Sequence, residues 1–503
     1  MSDPITLAMA VQFAAFVAVF LCVGIGHRMG PVSVLAIAAA CMPVALFQYK
    51  GLWVFVGDLY GILLAAGLLV NWAPRMRGAS ARNWVIGAYC FGVVAWTILS
   101  ARLAQSWLGE TIELGKLIEF IPRSACNVAF FTWAYRTGFS NRRALVLLTI
   151  PPLFWLVFAG AGLAQFVGLL NVDAFWRQNW QFVYRGAMTS GFMGMDKPQL
   201  ALWAAYTSVI AIWLNTGRRR ALGRMASITL PISALIVLLI GSRQGILALC
   251  VVMVTSAIIQ IARRRPARQF APVLAGLVIL GLVGPLLWSA VDPVRRARAT
   301  ASFEELLQVS SADDLANKRD SSTLTLLQYI LDNPHRLILG SGVGTEKSGY
   351  IYTPDFTRWP AGFRTYAEGE FVRLLWAGGL VSLISYLVVL GVMCATAIKG
   401  LGRRNGPVTA DAAGLLFTLT VTGSFFALGQ YHLFTALYHN VPCCYLLWVV
   451  SGIVMGHLAR CTVGREWPAT DASLLRMSVR RTIYAHADST ASRTDMAEEL
   501  DWK

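Results

Sequence analysis

The chain of 503 residues is poor in charge. Only 14% of its residues are Asp, Glu, Lys or Arg, and 56% are hydrophobic. A soluble chain carries about a quarter charged residues. The deficit runs along the whole length, which excludes an ordinary globular domain and marks a membrane protein. Cysteine offers no disulfide framework. Of the nine, Cys22, Cys41, Cys90, Cys126, Cys250, Cys394, Cys443 and Cys444 lie inside apolar runs, and Cys461 lies in the tail. No CxxC pair and no HExxH occurs, so no metal site is expected. The absence of GxxxxGK[ST] argues against ATP use by this chain, and GxSxG is absent too. The first five residues carry an acid where a signal peptide would be basic.

The chain does contain long apolar runs. A spanning helix needs about 20 of them in succession. Such runs lie near 6–26, 31–48, 52–72, 84–100, 113–135, 144–169, 199–215, 226–241, 245–261, 270–290, 371–397, 411–428 and 441–459. The expected fold is an all-α membrane protein, a polytopic helical bundle of about 12–13 spans with one long periplasmic loop. Its parts are a first membrane portion over 1–290, a loop or cap over 291–370, a second membrane portion over 371–459, and a polar tail over 460–503.

The net charge of +17 comes from short basic clusters between spans. They are Arg75/Arg77/Arg82, Arg136/Arg142/Arg143, Arg218/Arg219/Arg220/Arg224, Arg263/Arg264/Arg265/Arg268 and Lys399/Arg403/Arg404. They fall on every second loop. Topology explains them better than nucleic-acid binding, and none is expected to be bound. The positive-inside rule makes those loops cytoplasmic. The loops 103–112, 171–198, 242–244, 291–370 and 429–440 then face outward.

Four groups of residues could carry chemistry. Arg243 sits in Gly241-Ser242-Arg243-Gln244-Gly245, a sharp break between two apolar runs on the outward side. Its planar guanidinium matches phosphate oxygens in a bidentate way; the competing role is an interfacial arginine reaching for headgroups. Arg185 and Lys197 stand in the outward loop 171–198, where two cations could clamp a diphosphate. Glu368 and Glu370, in Tyr366-Ala367-Glu368-Gly369-Glu370-Phe371-Val372-Arg373, stand where the long loop re-enters the membrane. A carboxylate there could act as general base on a sugar hydroxyl, or simply favour a helix start. Finally, Lys116, Glu119 and Arg123 are spaced for one helix face, with Asp58 in another span. An ionised group at mid-bilayer costs about 2.5–3.5 kcal/mol, so such groups pair. Glu119 can answer one cation and leave the other for an anionic substrate or for Asp58. His432 and His439 lie seven apart with no further ligand type nearby, which is a weak metal pattern.

Three of these segments resemble the O-antigen ligase and O-antigen/exopolysaccharide polymerase superfamily (the Wzy and WaaL type). Arg185 through Pro198-Gln199 looks like its Arg…Gly…Pro-Asn segment. Gly241-Ser242-Arg243 looks like its Ser-Arg-Gly break. Leu324 to Gly344, with Asn333-Pro334 and Gly340-Ser341-Gly342, looks like its helix, Pro and Gly-x-Gly loop. A fourth segment departs. Glu368-Gly369 stands where the family has His-Asn, and Ser382 replaces the second glycine of Gly-Leu-x-Gly.

The resemblance implies a metal-independent, cofactor-free, inverting glycosyltransferase of the cell inner membrane. It would polymerise undecaprenyl-diphosphate-linked repeat units at the periplasmic face, for exopolysaccharide, capsule or O-antigen. Glu368 and Glu370 would be catalytic, and Arg185, Arg243, Lys197, Arg123 and Lys116 would bind substrate. Its partners would be the lipid-linked donor and acceptor, a chain-length regulator and other envelope polysaccharide proteins. Three alternatives stay open. One is a ligase moving glycan to lipid A-core or protein, which the missing His disfavours. Another is a transporter of lipid-linked sugars, for which no inverted repeat is visible. The third is a non-catalytic scaffold.

Overall fold

The structure is a computed structural model. It describes residues 31–41, 45–49, 52–70, 80–109, 112, 114–141, 143–166, 197–215, 220–239, 242–263, 289, 300, 327, 330–343, 369–402, 406–429 and 441–466. Helices dominate. They are α1 (Pro31–Cys41), α2 (Val56–Val70), α3 (Ser80–Gly87), α4 (Trp96–Leu108), α5 (Leu114–Ser140), α6 (Ile150–Phe166), α7 (Lys197–Asn215), α8 (Arg220–Leu239), α9 (Arg243–Ala262), α10 (Pro334–Leu339), α11 (Glu370–Leu401), α12 (Pro407–Gly429) and α13 (Val441–Glu466). A π-helical segment, Ala88–Ala95, joins α3 to α4.

Five helical stretches are long and apolar enough to cross a membrane: Ala81–Trp107, Gln244–Ala262, Glu370–Leu401, Pro407–Leu428 and Cys443–Thr462. Shorter apolar helices cover Val56–Leu68, Ala144–Gly160, Leu200–Leu214 and Ile228–Leu239. The chain is therefore a nearly all-helical, multi-pass membrane protein, as the all-α expectation has it apart from one short hairpin. The expected spans 6–26 and 270–290 lie outside the described residues, as do most of the 291–370 loop and the 460–503 tail beyond Glu466.

One expected span is interrupted. The run 31–48 is helical only to Cys41 and then forms strand β1 (Ala45–Tyr49), paired antiparallel with β2 (Leu52–Phe55). Pro43 explains the break, because proline disfavours a helical residue before it and lacks an N–H to donate. The aromatic-rich stretches on either side of Lys50-Gly51 then suit a tight hairpin.

The core is a single large cluster running from α1 to α13. Its tightest contact is α5 on α13. Gly452 and Gly456 are four apart on α13 and face α5. A methyl on Gly452 would stand 2.7 Å from Ala134 Cβ and 2.8 Å from the Phe131 carbonyl. Small residues at this spacing let two helix backbones approach closely, which is how helices associate in lipid where no hydrophobic force separates them from solvent. Pairings fix the directions of the helices. Asn127 on α5 meets Cys444 on α13, and Ala134 meets Gly452, so these two run parallel. Trp213 Nε1 near the end of α7 donates to Thr418 Oγ1 in the middle of α12 at 3.1 Å, while Ala201 near the start of α7 meets Gly245, whose neighbour Gln244 bonds to Phe426 near the end of α12, so those run antiparallel.

Candidate functional site

The candidate site is built where helix starts gather at one end of the bundle. The C-terminal turn of α12 joins two of them. Gln244 Nε2, in the first turn of α9, donates to the Phe426 carbonyl at 3.2 Å. A methyl on Gly369, just before α11, would lie 2.8 Å from the Leu428 carbonyl. The start of α7 is at the same level, since a methyl on Gly245 would lie 2.8 Å from Ala201 Cβ.

Arg243 opens α9. Ser242 is its N-cap, extended at φ −88°, ψ 100°, and its Oγ accepts the Gly245 N–H at 3.2 Å. The serine satisfies one of the helix's unpaired first amides. The positive end of the helix dipole and the Arg243 backbone thus stand together. The side chains of Arg243, Lys197 and Lys116 lie outside the described residues, and so do Arg185 and Glu368 entirely.

Glu370 opens α11 and is completely buried, at 0% exposure. Its carboxylate is within electrostatic reach of Tyr206, Tyr386 and Cys444, all deep in the bundle. A negative charge at a helix start is favourable, and here the start is enclosed by α7, α12 and α13. Arg373, one turn later, is also buried.

The second charged group sits beside it. Arg123, Glu119 and Asp58 are 3%, 7% and 8% exposed. Arg123 pairs with Glu119 one turn back on α5, and its Nε stands 3.5 Å from Asp58 Oδ1 on α2. Tyr445, on α13, donates its hydroxyl to that same Oδ1 at 2.5 Å. Cys444 lies within electrostatic reach of both Glu370 and Arg123, so the two groups are neighbours. Arg123 therefore faces two carboxylates, and an anionic substrate would meet it in competition with them.

Between these groups and the far end, the long loop enters the flank of the bundle. Residues 330–343 lie against α11, with Ile330 packed on Leu375 and Trp376, and Val343 packed on Phe120. Helix α11 is broken at this level. Gly378 and Gly379 leave helical geometry, the latter at φ 60°, ψ −158°. The break frees carbonyls, and the loop takes them: Ser341 N–H donates to Trp376 O at 2.6 Å, and Gly342 N–H to Ala377 O at 2.8 Å. Glycine is required on both sides. Gly342 has φ +84° and a methyl there would enter the Ala101 backbone; one on Gly340, at φ +78°, would lie 2.5 Å from Gly379 N.

Side chains complete the junction. Ser100 Oγ donates to Leu339 O at 2.5 Å. Arg336 donates to Ser341 Oγ at 2.6 Å and lies 5.5 Å over the Trp376 ring. Ser382, the residue in place of the resemblance's second glycine, is put to use: its Oγ donates to Gly92 O at 2.8 Å and meets Thr97 Oγ1 at 3.2 Å.

The half-helix 370–377 is thus tied to the loop and carries Glu370 and Arg373 as one piece. Sequence reasoning did not select Arg373, Tyr206, Tyr386, Tyr445 or Arg336. Only Arg373 carried a signal, its i,i+3 spacing from Glu370. Among the described residues no group of three or more His, Cys, Asp or Glu could hold a metal ion.

Comparison with known proteins supplies the remaining finding. No curated protein matches the chain. Residues 228–387, about a third of the chain, match the family model described as O-antigen ligase. That segment holds the Arg243 break, the Gly340–Gly342 loop, the break in α11 and Glu370, and over it the chain is similar to the O-antigen ligase family.

Proposed function

We propose that this protein polymerises undecaprenyl-diphosphate-linked oligosaccharide repeat units at the periplasmic face of the cell inner membrane. One observation carries the reading. The starts of α9 and α11, with Arg243 and Glu370, both lie in the segment matched to the family, and both meet the same terminal turn of α12.

In the proposed reaction, the acceptor hydroxyl attacks the anomeric carbon of the donor sugar from the face opposite the diphosphate. The new C–O bond forms as the bond to the diphosphate oxygen breaks, and configuration inverts. The electron pair leaves with the diphosphate. Arg243 and Arg185, with Lys197 nearby, hold that leaving group and its developing charge. Glu368 takes the hydroxyl proton. Glu370 has no exposed surface; its role is to fix the start of α11. The donor bond is already activated, so neither nucleotide nor metal is needed. Glu368 in place of the His expected of a ligase favours polymerisation over transfer to lipid A-core or protein.

The test is product size. Purified protein in detergent receives lipid-diphosphate-linked repeat units, and products are resolved on a gel. A ladder of multiples supports the proposal. Unchanged size with transfer onto lipid A-core or protein identifies a ligase instead. The catalytic assignment predicts that Glu368→Gln abolishes the ladder. Full activity in that variant rejects Glu368 as the base.

A further inference from the structure

A lateral crevice of about 780 Å³ opens between α3 with its π-helical extension and the far half of α11. Its α11 wall runs from Val381 to Val388. Those residues lie 11 to 18 positions beyond Glu370, or about 16 to 27 Å along a helix, so the crevice is remote from the candidate site and close to the basic end. Its floor exists because the facing residues are small: Gly87, Ala88 and Gly92. The π segment turns Phe91 outward, to 78% exposure, and sets Gly92 directly against Ser385. Trp84 and Phe91 stand as exposed aromatic sides, and the lining is mostly apolar.

The end of the crevice is polar and cationic. Asn83 lines it. Arg82 Nε and a terminal guanidinium nitrogen donate to Asn83 Oδ1 at 3.2 and 3.1 Å, and the guanidinium lies 5.8 Å over the Tyr135 ring. Arg136 is within electrostatic reach of Arg82. The stretches 59–109 and 120–172 contain no Asp or Glu, so this end of α3 and α5 is net positive. An apolar crevice that ends at Asn83, with the Arg82 guanidinium bonded to that same side chain, suits a molecule with a hydrocarbon part and an anionic head.

We propose that the crevice is a binding site for an anionic phospholipid of the leaflet at the basic end. One acyl chain lies along Trp84, Gly87 and Phe91, and the phosphate is held by Arg82 and Asn83. The attraction is one of charge: each basic residue near a membrane surface strengthens binding to anionic lipid. The site is independent of the glycosyl-transfer reading.

Native mass spectrometry of the full chain, titrated with phosphatidylglycerol and with phosphatidylcholine, tests it. A methyl on Gly87 meets nothing within 4 Å, so the backbone there has room for a side chain, and Gly87→Leu puts one into the crevice. The expected result is preferential retention of phosphatidylglycerol, lost in Gly87→Leu and weakened about fivefold in Arg82→Gln, with Arg82→Lys close to the parent. Circular dichroism checks that each variant is folded. Equal retention of both lipids, or retention unchanged in Gly87→Leu and Arg82→Gln, overturns the proposal. Loss of an added polyprenyl diphosphate, with phosphatidylglycerol still held, also overturns it and gives the crevice to the donor's tail.

Discussion

Replacing Arg123 by Met should cost about 3–5 kcal/mol of stability. The substitution keeps an unbranched apolar stem and removes the guanidinium with its charge. Asp58 and Glu119 are then two carboxylates, both under a tenth exposed, facing each other without the guanidinium that lies between them. At an effective dielectric constant of about 20, opposite charges 3.5 Å apart attract by about 5 kcal/mol. Desolvation offsets part of that when the group is intact, but removing one partner leaves buried charge behind, which is where the 3–5 kcal/mol arises. The Tyr445 hydroxyl on Asp58 is a bond to a charged acceptor, so Tyr445→Phe should cost about 1.5–3 kcal/mol. The sharpest comparison is the triple variant Asp58→Asn, Glu119→Gln, Arg123→Met. It has no buried charge in this group, and it should recover most of the loss. Unfolding by SDS in mixed micelles, followed by tryptophan fluorescence, gives all three numbers. A single Arg123→Met costing less than about 1 kcal/mol, or a triple variant as unstable as the single one, would refute the reasoning.

Three further outcomes follow from the geometry. Gly342→Ala places a methyl in the Ala101 backbone at a positive φ, so it should detach the loop from α4 and α11, lowering the melting temperature and glycan transfer together; Gly87→Ala, with open space around it, should be neutral or slightly stabilising as a control. Ser242→Ala removes the cap of α9 and should cost about 1 kcal/mol, measured in the same SDS titration. Arg243→Ala should abolish the product ladder while leaving the unfolding curve near that of the parent; full activity would end its role as a diphosphate ligand.

Much of the architecture is legible from residue order. The membrane class follows from how few charges the chain carries, and helix positions follow from runs of apolar residues, because both are local properties. The break at Gly241 to Gly245 and the start of α11 at Glu370 fall where glycine and polarity interrupt those runs. The face shared by Glu119 and Arg123 is a matter of helical period alone. The run 31–48 misleads, because hydrophobicity does not separate a helix from a buried strand, and Pro43 decides between them only at one end.

Other features have no period to reveal them. Asp58 and Tyr445 are 387 residues apart, and nothing in either neighbourhood names the other. The same holds for Ser341 and Gly342 on the carbonyls of Trp376 and Ala377. Gly379 can be read as a flexible point, but only the arriving amides make its break stable, since freed carbonyls within a membrane must find donors. Burial separates Glu370 from a surface base, and burial depends on how α7, α12 and α13 close around the start of α11. Sequence by itself therefore determined the class, the helices and the residue types that could meet a diphosphate. Tertiary structure decided which of them are neighbours, because pairing across hundreds of residues is fixed by packing of whole helices and leaves no local trace.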